Sequence, residues 1–558
     1  MAQNTQHPDR QLNENPHCNT KDPQPLYEPL QQHEFRLIEL RESSSLDIEC
    51  TLKTVSWRDH PPYSALSYVW GSHEGVATIL LNSQPVKVTS NLKAALGLLV
   101  KSDCDKTFWI DALCIDQSNT TERGHQVKAM PSIYANAATV LVFLRMLKRT
   151  NAYSWEPELA REYKNIYQDP YWTRVWVTQE IAHAQCAKVL LPGRPLRNFD
   201  DVLDFRKFKD SREKVNPEWE LRAWDEVAAL HHEGPARMAK VGSARRPPNF
   251  ASGQMQWLST IHGKHCKDPR DYIYGLLYLF PPELVERIQV DYKSPVAEIF
   301  LSFTISYIET THDLAVICWG KNGRICPDYP SWAGNFAELV HDPFTSFDLH
   351  MRGLSVGSSI TPTVRFSADS KNLNVRGNCI GTIERVTSLD ATDLASTFTA
   401  MELKPEPSIL RAFGRTFMLG QNDFSIDDLD DLNRFSPGWS EHLQRKLFRF
   451  SPSKSVKDGD NGEILHTTSR ILLPERRARS GKLIEEEIRI TRVDLGVGPS
   501  EMQPGDQMFL IFGCSLLIIL RAVGDQYRVI GDAYADGFLG GQVAPEVVLD
   551  NHQDIVLI

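Results

Sequence analysis

The stretch PYSALSYVWG, from Pro62 to Gly71, sets the fold of the N-terminal part of the chain. Its short aliphatic and aromatic run ends at Gly-Ser, which is typical of a buried strand whose carboxyl end opens into a loop. Residues 107–117 (TFWIDALCIDQ) also begin as an apolar strand and become polar, and residues 139–144 (TVLVFL) are a third β-rich run. Because a helical pattern separates the last two, the order of elements predicts a parallel α/β sheet over roughly residues 35–190.

Hydrophobic alternation predicts further strands on the amino-terminal side of this sheet. Residues 35–40 (FRLIEL) and 47–55 (DIECTLKTV) alternate apolar with polar side chains, as half-buried antiparallel strands do. Residues 78–88 (TILLNSQPVKV) predict a hairpin, and Ser90 or Asn91 can cap the amphipathic helix that follows.

The helix predicted over residues 119–137 begins with a recognisable capping pattern. Asn119 can cap it, and Glu122 stands at the third helical position, as in a capping box. Pro131 lies inside it and predicts a kink, because proline removes one backbone hydrogen bond.

A second helix is predicted over YWTRVWVTQE, residues 171–180, after an N-cap and first-turn signal from the preceding Asp-Pro. In one continuous helix Trp172, Trp176 and Glu180 recur every four residues and share one side. The pattern therefore places a carboxylate in line with two core-seeking rings that would pack the helix onto the sheet.

Composition describes an ordinary folded chain. Its 558 residues predict about two to four domains, and a net charge of -10 gives no overall attraction to nucleic acid or to an anionic membrane. The ten cysteines are scattered without a CxxC pair, which favours reduced thiols inside a cell. The most apolar run, residues 508–520, is shorter than the roughly twenty residues of a membrane span. We therefore expect a cytoplasmic protein with no membrane span and no nucleic-acid partner.

The predicted organisation has six parts. They are a disordered tail over 1–33 without a secretory signal, the α/β domain over 34–195, a mainly helical region over 196–350, a mixed α/β region over 351–449, a polar loop or disorder over 450–482, and a small C-terminal β unit over 483–558.

Polar and aromatic residues cluster after the predicted strands, where parallel sheets bind ligands. The candidate binding residues are Ser67, Trp70, Trp109, Asp111, Gln117, Arg174 and Trp176, and Glu180 belongs to the same cluster. The alternative is that the tryptophans are core residues and that Asp111 and Glu180 pair with arginines. A triphosphate loop, a GxSxG elbow and an HExxH motif are absent from the sequence. His262, His265 and Cys266 have metal-like spacing but no clear partner group, so we predict no metal and no bound cofactor.

Three blocks of the sequence together resemble the fungal heterokaryon-incompatibility (HET) domain. They are YSALSYVWG (63–71), FWIDALCIDQSNTTERGHQVKAMPSIYANAATV (108–140) and YWTRVWVTQE (171–180). Weaker family features are DPRDYIYGLL (268–277), YPSWAG (329–334) and GDAYADGFLGG (531–541). Pro131 departs from the helix former usual at its place in the family.

The resemblance implies a TIR-like, flavodoxin-like fold, because the HET domain is itself similar to the TIR domain. Enzymatic TIR domains cleave NAD at the nicotinamide–ribose bond with the glutamate of a WCxxE block. Trp176 to Glu180 (WVTQE) falls where that block would fall, with Val177 in place of the cysteine. The resemblance thus makes Glu180 the candidate catalytic residue and NAD the candidate substrate.

Three functions are consistent with the resemblance. The first is a programmed-cell-death effector of fungal non-self recognition that hydrolyses NAD. The second is a non-catalytic signalling and assembly module of the same fold, with Glu180 as a structural ion-pair partner. The third is a protein that carries the sequence but neither kills cells nor turns over substrate. For the active state we expect self-association through the HET domain, and an incompatibility partner protein is the candidate trigger.

Overall fold

The computed structural model describes the chain in separate stretches. They are residues 25–41, 48–71, 76–102, 105–145, 158–204, 263–319, 326, 328–338, 361–388, 399–402, 445–452, 495–535 and 552–558.

The N-terminal part is built on a nine-stranded mixed sheet. Its strands are β1 (Glu34–Arg41), β2 (Glu49–Ser56), β3 (Ser64–Tyr68), β4 (Val76–Leu81), β5 (Gln84–Thr89), β6 (Thr107–Trp109), β7 (Thr139–Phe143), β8 (Ala187–Leu190) and β9 (Arg197–Asn198). The order across the sheet is β5-β4-β2-β1-β6-β3-β7-β8-β9. The predicted antiparallel pair β1–β2 and the predicted hairpin β4–β5 are both present.

The centre of this sheet is parallel, as the sequence predicts. β3 pairs in parallel with β6 on one side and with β7 on the other, and β7 pairs in parallel with β8. All five residues of β3 are buried, because the strand has neighbours on both edges and helices over its faces. The chain leaves β3 for β6 in one direction and then returns to β7 in the other. The carboxyl end of β3 therefore lies where the strand order reverses, which is the usual ligand position in open α/β sheets.

Short helices connect the strands. They are α1 (Ser90–Lys101), α2 (Asp111–Cys114), α3 (Thr120–Asn136), α4 (Glu158–Tyr167), a 3-10 turn (Pro170–Thr173), α5 (Val177–Ala182) and α6 (Phe199–Leu203). The cap of α1 is Thr89, whose side chain accepts from the Leu92 amide, rather than Ser90 or Asn91. Asn119 caps α3 as predicted, and α3 continues past Pro131.

Glu122 has a different role from the predicted capping box. Its two carboxylate oxygens accept from the two Arg36 guanidinium nitrogens, Nη1 and Nη2, at 2.6 and 3.0 Å, and one of them also accepts from the Asp116 amide at 2.8 Å. Both side chains of the ion pair are buried. Glu122 therefore joins α3 to β1 inside the domain.

The prediction of one helix over residues 171–180 is wrong. The 3-10 turn ends at Thr173, Arg174 is extended with ψ of 137°, and α5 begins only at Val177. The break forms because the backbone of Val175 donates to His265, from a distant segment of the chain. Tertiary pairing thus overrides the helical periodicity, and the three side chains Trp172, Trp176 and Glu180 point to different surroundings.

Residues 263–338 contain helices that pack beside the sheet domain. They are α7 (Asp271–Tyr274), a 3-10 turn (Leu277–Leu279), α8 (Pro282–Arg287), α9 (Val296–Thr311) and a further 3-10 turn (Leu314–Cys318). The buried aromatic side chains of this part include Tyr307, Trp319 and Phe336, whose rings contact one another. The helical prediction for residues 205–262 lies outside the described residues.

The C-terminal part is an eight-stranded, mainly antiparallel sheet. Its strands are β10 (Arg365–Phe366), β11 (Leu373–Ser388), β12 (Arg445–Pro452), β13 (Leu495–Pro499), β14 (Gln507–Ile511), β15 (Leu517–Val523), β16 (Gln526–Ala535) and β17 (Gln553–Leu557). β11 pairs with β12, β14 and β17. Strands that the sequence assigned to a separate mixed α/β region over 351–449 are thus hydrogen-bonded to the predicted β unit. The predicted polar segment includes the end of β12, and its remainder, 453–482, lies outside the described residues.

The predicted N-terminal tail is described from residue 25. The hydroxyl of Tyr27 donates to the Leu113 carbonyl at 3.1 Å, and the Glu28 carbonyl accepts from Arg36 at 2.6 Å. The prediction of disorder therefore fails for residues 25–33, because these contacts fix them to the sheet domain. No helix within the described stretches is long and apolar enough to cross a membrane.

Candidate functional site

The candidate site begins with a buried serine–glutamate pair. Ser67 lies near the carboxyl end of β3, and its hydroxyl donates to the Glu180 carboxylate on α5. The hydroxyls of Ser67 and Tyr171 are also hydrogen-bonded, at 2.8 Å. Glu180 is 1% exposed. A carboxylate from one predicted block therefore meets a hydroxyl from another beside the central strand.

A second buried carboxylate, Asp111, follows β6. The indole nitrogen of Trp70 donates to Asp111 Oδ2 at 2.7 Å, and the Ala112 amide donates to Oδ1 at 2.7 Å. The Tyr68 hydroxyl also hydrogen-bonds to this carboxylate. Gln117 donates to the Asp111 backbone carbonyl at 3.0 Å, so it supports the turn rather than facing the carboxylate.

Arg174 interacts electrostatically with both carboxylates. It is attracted to Glu180 and to Asp111, and its guanidinium donates to the Tyr68 carbonyl at the end of β3. Its extended backbone directs the side chain back towards the sheet. Residues from the three predicted blocks therefore meet around one arginine and two acids.

Burial is the main influence on the pKa values of this cluster. It raises the pKa of Glu180 to about 7, although Arg174, the Ser67 hydrogen bond and the buried Lys264 oppose the rise. Burial also raises the pKa of Asp111, again against Arg174 and the Trp70 hydrogen bond. A carboxyl group with a pKa near neutrality can exchange its proton at the pH of a cell, which is a common property of functional carboxylates.

Two predicted binding residues lie elsewhere. Trp109 is fully buried, and its ring contacts Tyr134 edge-on at 5.4 Å, so it is a core residue rather than a binding residue. The Trp176 indole nitrogen donates to Asp271 at 3.1 Å, outside the sheet domain. The Trp172 indole nitrogen donates to the Ile166 carbonyl at 2.6 Å, so the two rings have different partners.

Three residues of the site were not selected from the sequence. Tyr68 and Tyr171 lie inside the quoted blocks, so their position beside the candidate residues was the available signal. Asp271 belongs to the DPRDYIYGLL motif, but nothing in the sequence places that motif against Trp176. Within the described part of the chain, no group of three His, Cys, Asp or Glu side chains is placed to hold a metal ion. His262 lies outside the described residues.

Family comparisons agree with the motifs. Residues 63–155 match the model of the heterokaryon incompatibility protein (HET) family, and residues 486–558 match that of the Het-6 β-barrel domain. The chain thus carries a HET domain and a Het-6 β-barrel domain. The block that contains Glu180 lies beyond the HET match, in the connection between β7 and β8 of the sheet.

Two relatives carry incompatibility names. The chain is 34% identical over 125 residues to heterokaryon incompatibility protein 6, OR allele, of Neurospora crassa, a match that covers 20% of this chain and 18% of that protein. It is 30% identical over 125 residues to vegetative incompatibility protein HET-E-1 of Podospora anserina, over 22% of this chain and 9% of that protein. The matched part is thus a small share of each relative. No solved structure matches the chain significantly.

Proposed function

We propose that the chain acts in fungal heterokaryon incompatibility as a programmed-cell-death effector, and that its HET domain hydrolyses NAD at the nicotinamide–ribose bond with Glu180 as the catalytic carboxylate. The observation that carries the proposal is the position of Glu180. Glu180 is buried, and burial raises its pKa to about 7. It is hydrogen-bonded to Ser67 near the carboxyl end of β3, where the strand order reverses.

Strand order supports the TIR-like part of the proposal. The parallel strands β6, β3, β7 and β8 stand in the order 2-1-3-4 when they are numbered along the chain. Flavodoxin-like sheets have the order 2-1-3-4-5 and bind their ligand between the first and third strands. Ser67 and Tyr68, which pair with Val142 and Phe143 of β7, lie at that position.

The chemistry fits a lone carboxylate. When the ribose C1′–nitrogen bond of NAD breaks, the bond pair stays with nicotinamide, which leaves as a neutral molecule and needs no strong acid. Positive charge develops on the ribose, and a nearby carboxylate stabilises it. Water then adds at C1′ to give ADP-ribose and a proton, which ionised Glu180 can accept. Arg174 is the adjacent cation able to pair with the diphosphate.

The burial of Glu180 favours a second function. Glu180 is 1% exposed and its carboxylate is already hydrogen-bonded to Ser67. Such a carboxylate can serve as a structural partner in a non-catalytic assembly module. In that case Glu180→Gln leaves cell killing in a fungal host intact, whereas substitutions that block assembly abolish it.

The experiment is nicotinamide release from NAD by the purified full chain, with Glu180→Ala as the test variant. The proposal expects release by the wild type and a loss of at least about 1,000-fold in the variant. Arg376→Gln, in an exposed ion pair with Asp554 of the C-terminal sheet, serves as the matched control and keeps the wild-type rate. No release, even when the chains are forced to associate through a fused dimeriser, contradicts the enzymatic function.

We also propose that the active state forms by self-association through the HET domain, in the cytoplasm, in response to an incompatibility partner. We propose residues 34–195 as the limits of the HET domain. Self-association is supported by the burial of Glu180 in the single chain, since contact with a second copy is one way to expose this residue. Sedimentation of the wild type with and without NAD tests the association.

A further inference from the structure

The segment from Lys264 to Tyr292, called here the docking segment, contacts the block that carries Glu180. Its backbone pairs with the broken stretch between the 3-10 turn and α5, since Arg174 and His265 form a parallel bridge and Val175 donates to the His265 carbonyl at 3.2 Å. The Lys264 ammonium donates to the Trp172 carbonyl at 2.9 Å. The docking segment therefore fixes the backbone of the one arginine that faces both buried acids.

A side-chain cluster fastens the other side of this contact. Asp271 accepts from the Trp176 indole at 3.1 Å through one carboxylate oxygen and from the Tyr292 hydroxyl at 2.8 Å through the other. The Arg123 guanidinium of α3 lies 3.8 Å from the centre of the Tyr292 ring. Burial raises the pKa of Asp271 to about 6, so this acid is largely ionised at neutral pH and depends on its two donors. One carboxylate thus joins the docking segment to the residue that precedes α5.

Close packing leaves little room in the same contact. A Cβ on Gly275 would lie 2.8 Å from a methyl of Val175 and 3.6 Å from the Trp176 ring. Further along α5, three buried polar groups at this contact lack a hydrogen-bond partner among the described residues. They are the side-chain amide of Gln179, the His183 Nε2 and the Tyr278 hydroxyl. The His183 and Tyr278 rings lie edge to face, with their centres 5.0 Å apart. Unpaired buried polar groups cost stability, which favours separation of the two surfaces.

We propose that the docking segment is an intramolecular inhibitor of the site, with Asp271 as its latch: the Trp176–Asp271 hydrogen bond holds Arg174 and α5 in the closed arrangement, and its release exposes Glu180. This inference extends the proposed function by naming how the same site is regulated. Asp271 is a positioning residue, because it acts through Trp176 and Arg174 and does not touch the carboxylate of Glu180.

The test is hydrogen–deuterium exchange of the full chain over peptides that cover residues 171–183. Asp271→Ala and Trp176→Phe should each accelerate exchange there at least tenfold, and the double variant should be no faster than Asp271→Ala, because both changes remove the same bond. Tyr292→Phe, which keeps that bond, should have a smaller effect. The control is Arg376→Gln, which breaks an exposed ion pair with Asp554 in the C-terminal sheet, and far-UV circular dichroism confirms folding. If Asp271→Ala does not fold, Trp176→Phe decides alone.

Unchanged exchange in the single variants overturns the inhibitor proposal, and so does acceleration that is additive in the double variant or equal in the control. Nicotinamide release measured on the same samples separates this proposal from the enzymatic one. Faster exchange with release that rises in Asp271→Ala supports both. Faster exchange without nicotinamide from any variant supports the latch and rejects NAD hydrolysis.

Discussion

The N-terminal sheet and its helices contain two buried clusters of basic and acidic side chains. In the first, Arg36 and Glu122 form a balanced, bidentate one-to-one pair, and the same two guanidinium nitrogens of Arg36 also donate to the Cys114 and Glu28 carbonyls. In the second, Arg174 lies between two acids, Glu180 and Asp111, and the buried Lys264 is a further cation near Glu180. Burial raises the pKa of Glu180 to about 7 even though both cations oppose the rise.

The difference separates a structural role from a candidate functional one. The balanced pair holds α3 against β1. In the second cluster burial penalises the charge of Glu180, and a pKa shifted in this way is a common property of functional carboxylates. The comparison predicts opposite responses to the same substitution in the two clusters.

The largest expected effect is on the balanced pair. Glu122→Gln leaves the buried Arg36 charge uncompensated and should lower the free energy of unfolding at pH 7 by about 3–5 kcal/mol. Urea unfolding followed by tryptophan fluorescence measures it. Lys53→Met, which breaks the exposed pair with Glu39, is the control and should change stability by less than about 1 kcal/mol. An equally small loss for Glu122→Gln would remove the distinction between the clusters.

Glu180→Gln should have the opposite sign. It removes a carboxyl group whose charged form is penalised by burial. Because the folded-state pKa of Glu180 is raised from 4.5 to about 7, the folded state binds more protons than the unfolded state between these values. Wild-type stability therefore falls as the pH rises through this window.

The Glu180→Gln variant should not show this loss of stability as the pH rises. Relative to the wild type it should gain about 3 kcal/mol between pH 4 and pH 8, an order-of-magnitude figure that follows from the pKa shift. Unfolding of both proteins at the two pH values measures the difference. A variant that is less stable than the wild type at pH 8 would show that Glu180 is a structural partner like Glu122.

The helix of the balanced pair also contacts the rest of the chain closely. A Cβ on Gly124 of α3 would lie 2.7 Å from the Val290 carbonyl oxygen, so Gly124→Ala should cost about 1–3 kcal/mol. Gly97 of α1 has no atom within 4 Å of the same position, and Gly97→Ala should stabilise by about 0.5–1 kcal/mol. Thermal unfolding of the two variants compares them, and equal effects would argue against tight contact between α3 and the docking segment.

The smallest expected effect is a change in the pKa of Glu180. Its hydrogen bond from Ser67 lowers the pKa of Glu180, so Ser67→Ala should raise that pKa by about one pH unit. The pH midpoint of the stability difference from Glu180→Gln reports the change, and Ser67→Thr, which keeps a hydroxyl, should restore it. A midpoint that moves down would mean that the serine does not donate to the carboxylate.

The sequence predicted the elements whose pattern is set locally. The antiparallel pair β1–β2, the apolar runs of β3 and β7, and the Asn119 cap follow from neighbouring residues, and each of these predictions is confirmed. The prediction that β1 is half-buried is wrong, because residues 35–38 are all buried and the Arg36 side chain is paired with Glu122 inside the domain. The strand ends then brought Ser67, Asp111, Arg174 and Glu180 into one neighbourhood, as expected for parallel strands.

Long-range contacts decided the rest. The predicted helix over 171–180 breaks because His265 pairs with its backbone, and Trp176 turns to Asp271 for the same reason. Glu122 has the spacing of a capping box, but burial of Arg36 beside it makes it an ion-pair partner. The partners His265, Asp271 and Arg36 are far along the chain from the residues that they contact, so the local sequence could not predict these contacts.

The central claim is that Glu180 is a catalytic carboxylate poised near neutral pH. The most direct test is the pH dependence of nicotinamide release from NAD by the full chain, with Glu180→Gln alongside. Since only ionised Glu180 stabilises the positive transition state, the rate should rise with pH through an apparent pKa of about 7 and then level off, and the variant should be inactive at every pH. A rate that is independent of pH between 5 and 8, or a variant that keeps the wild-type rate, would contradict the account.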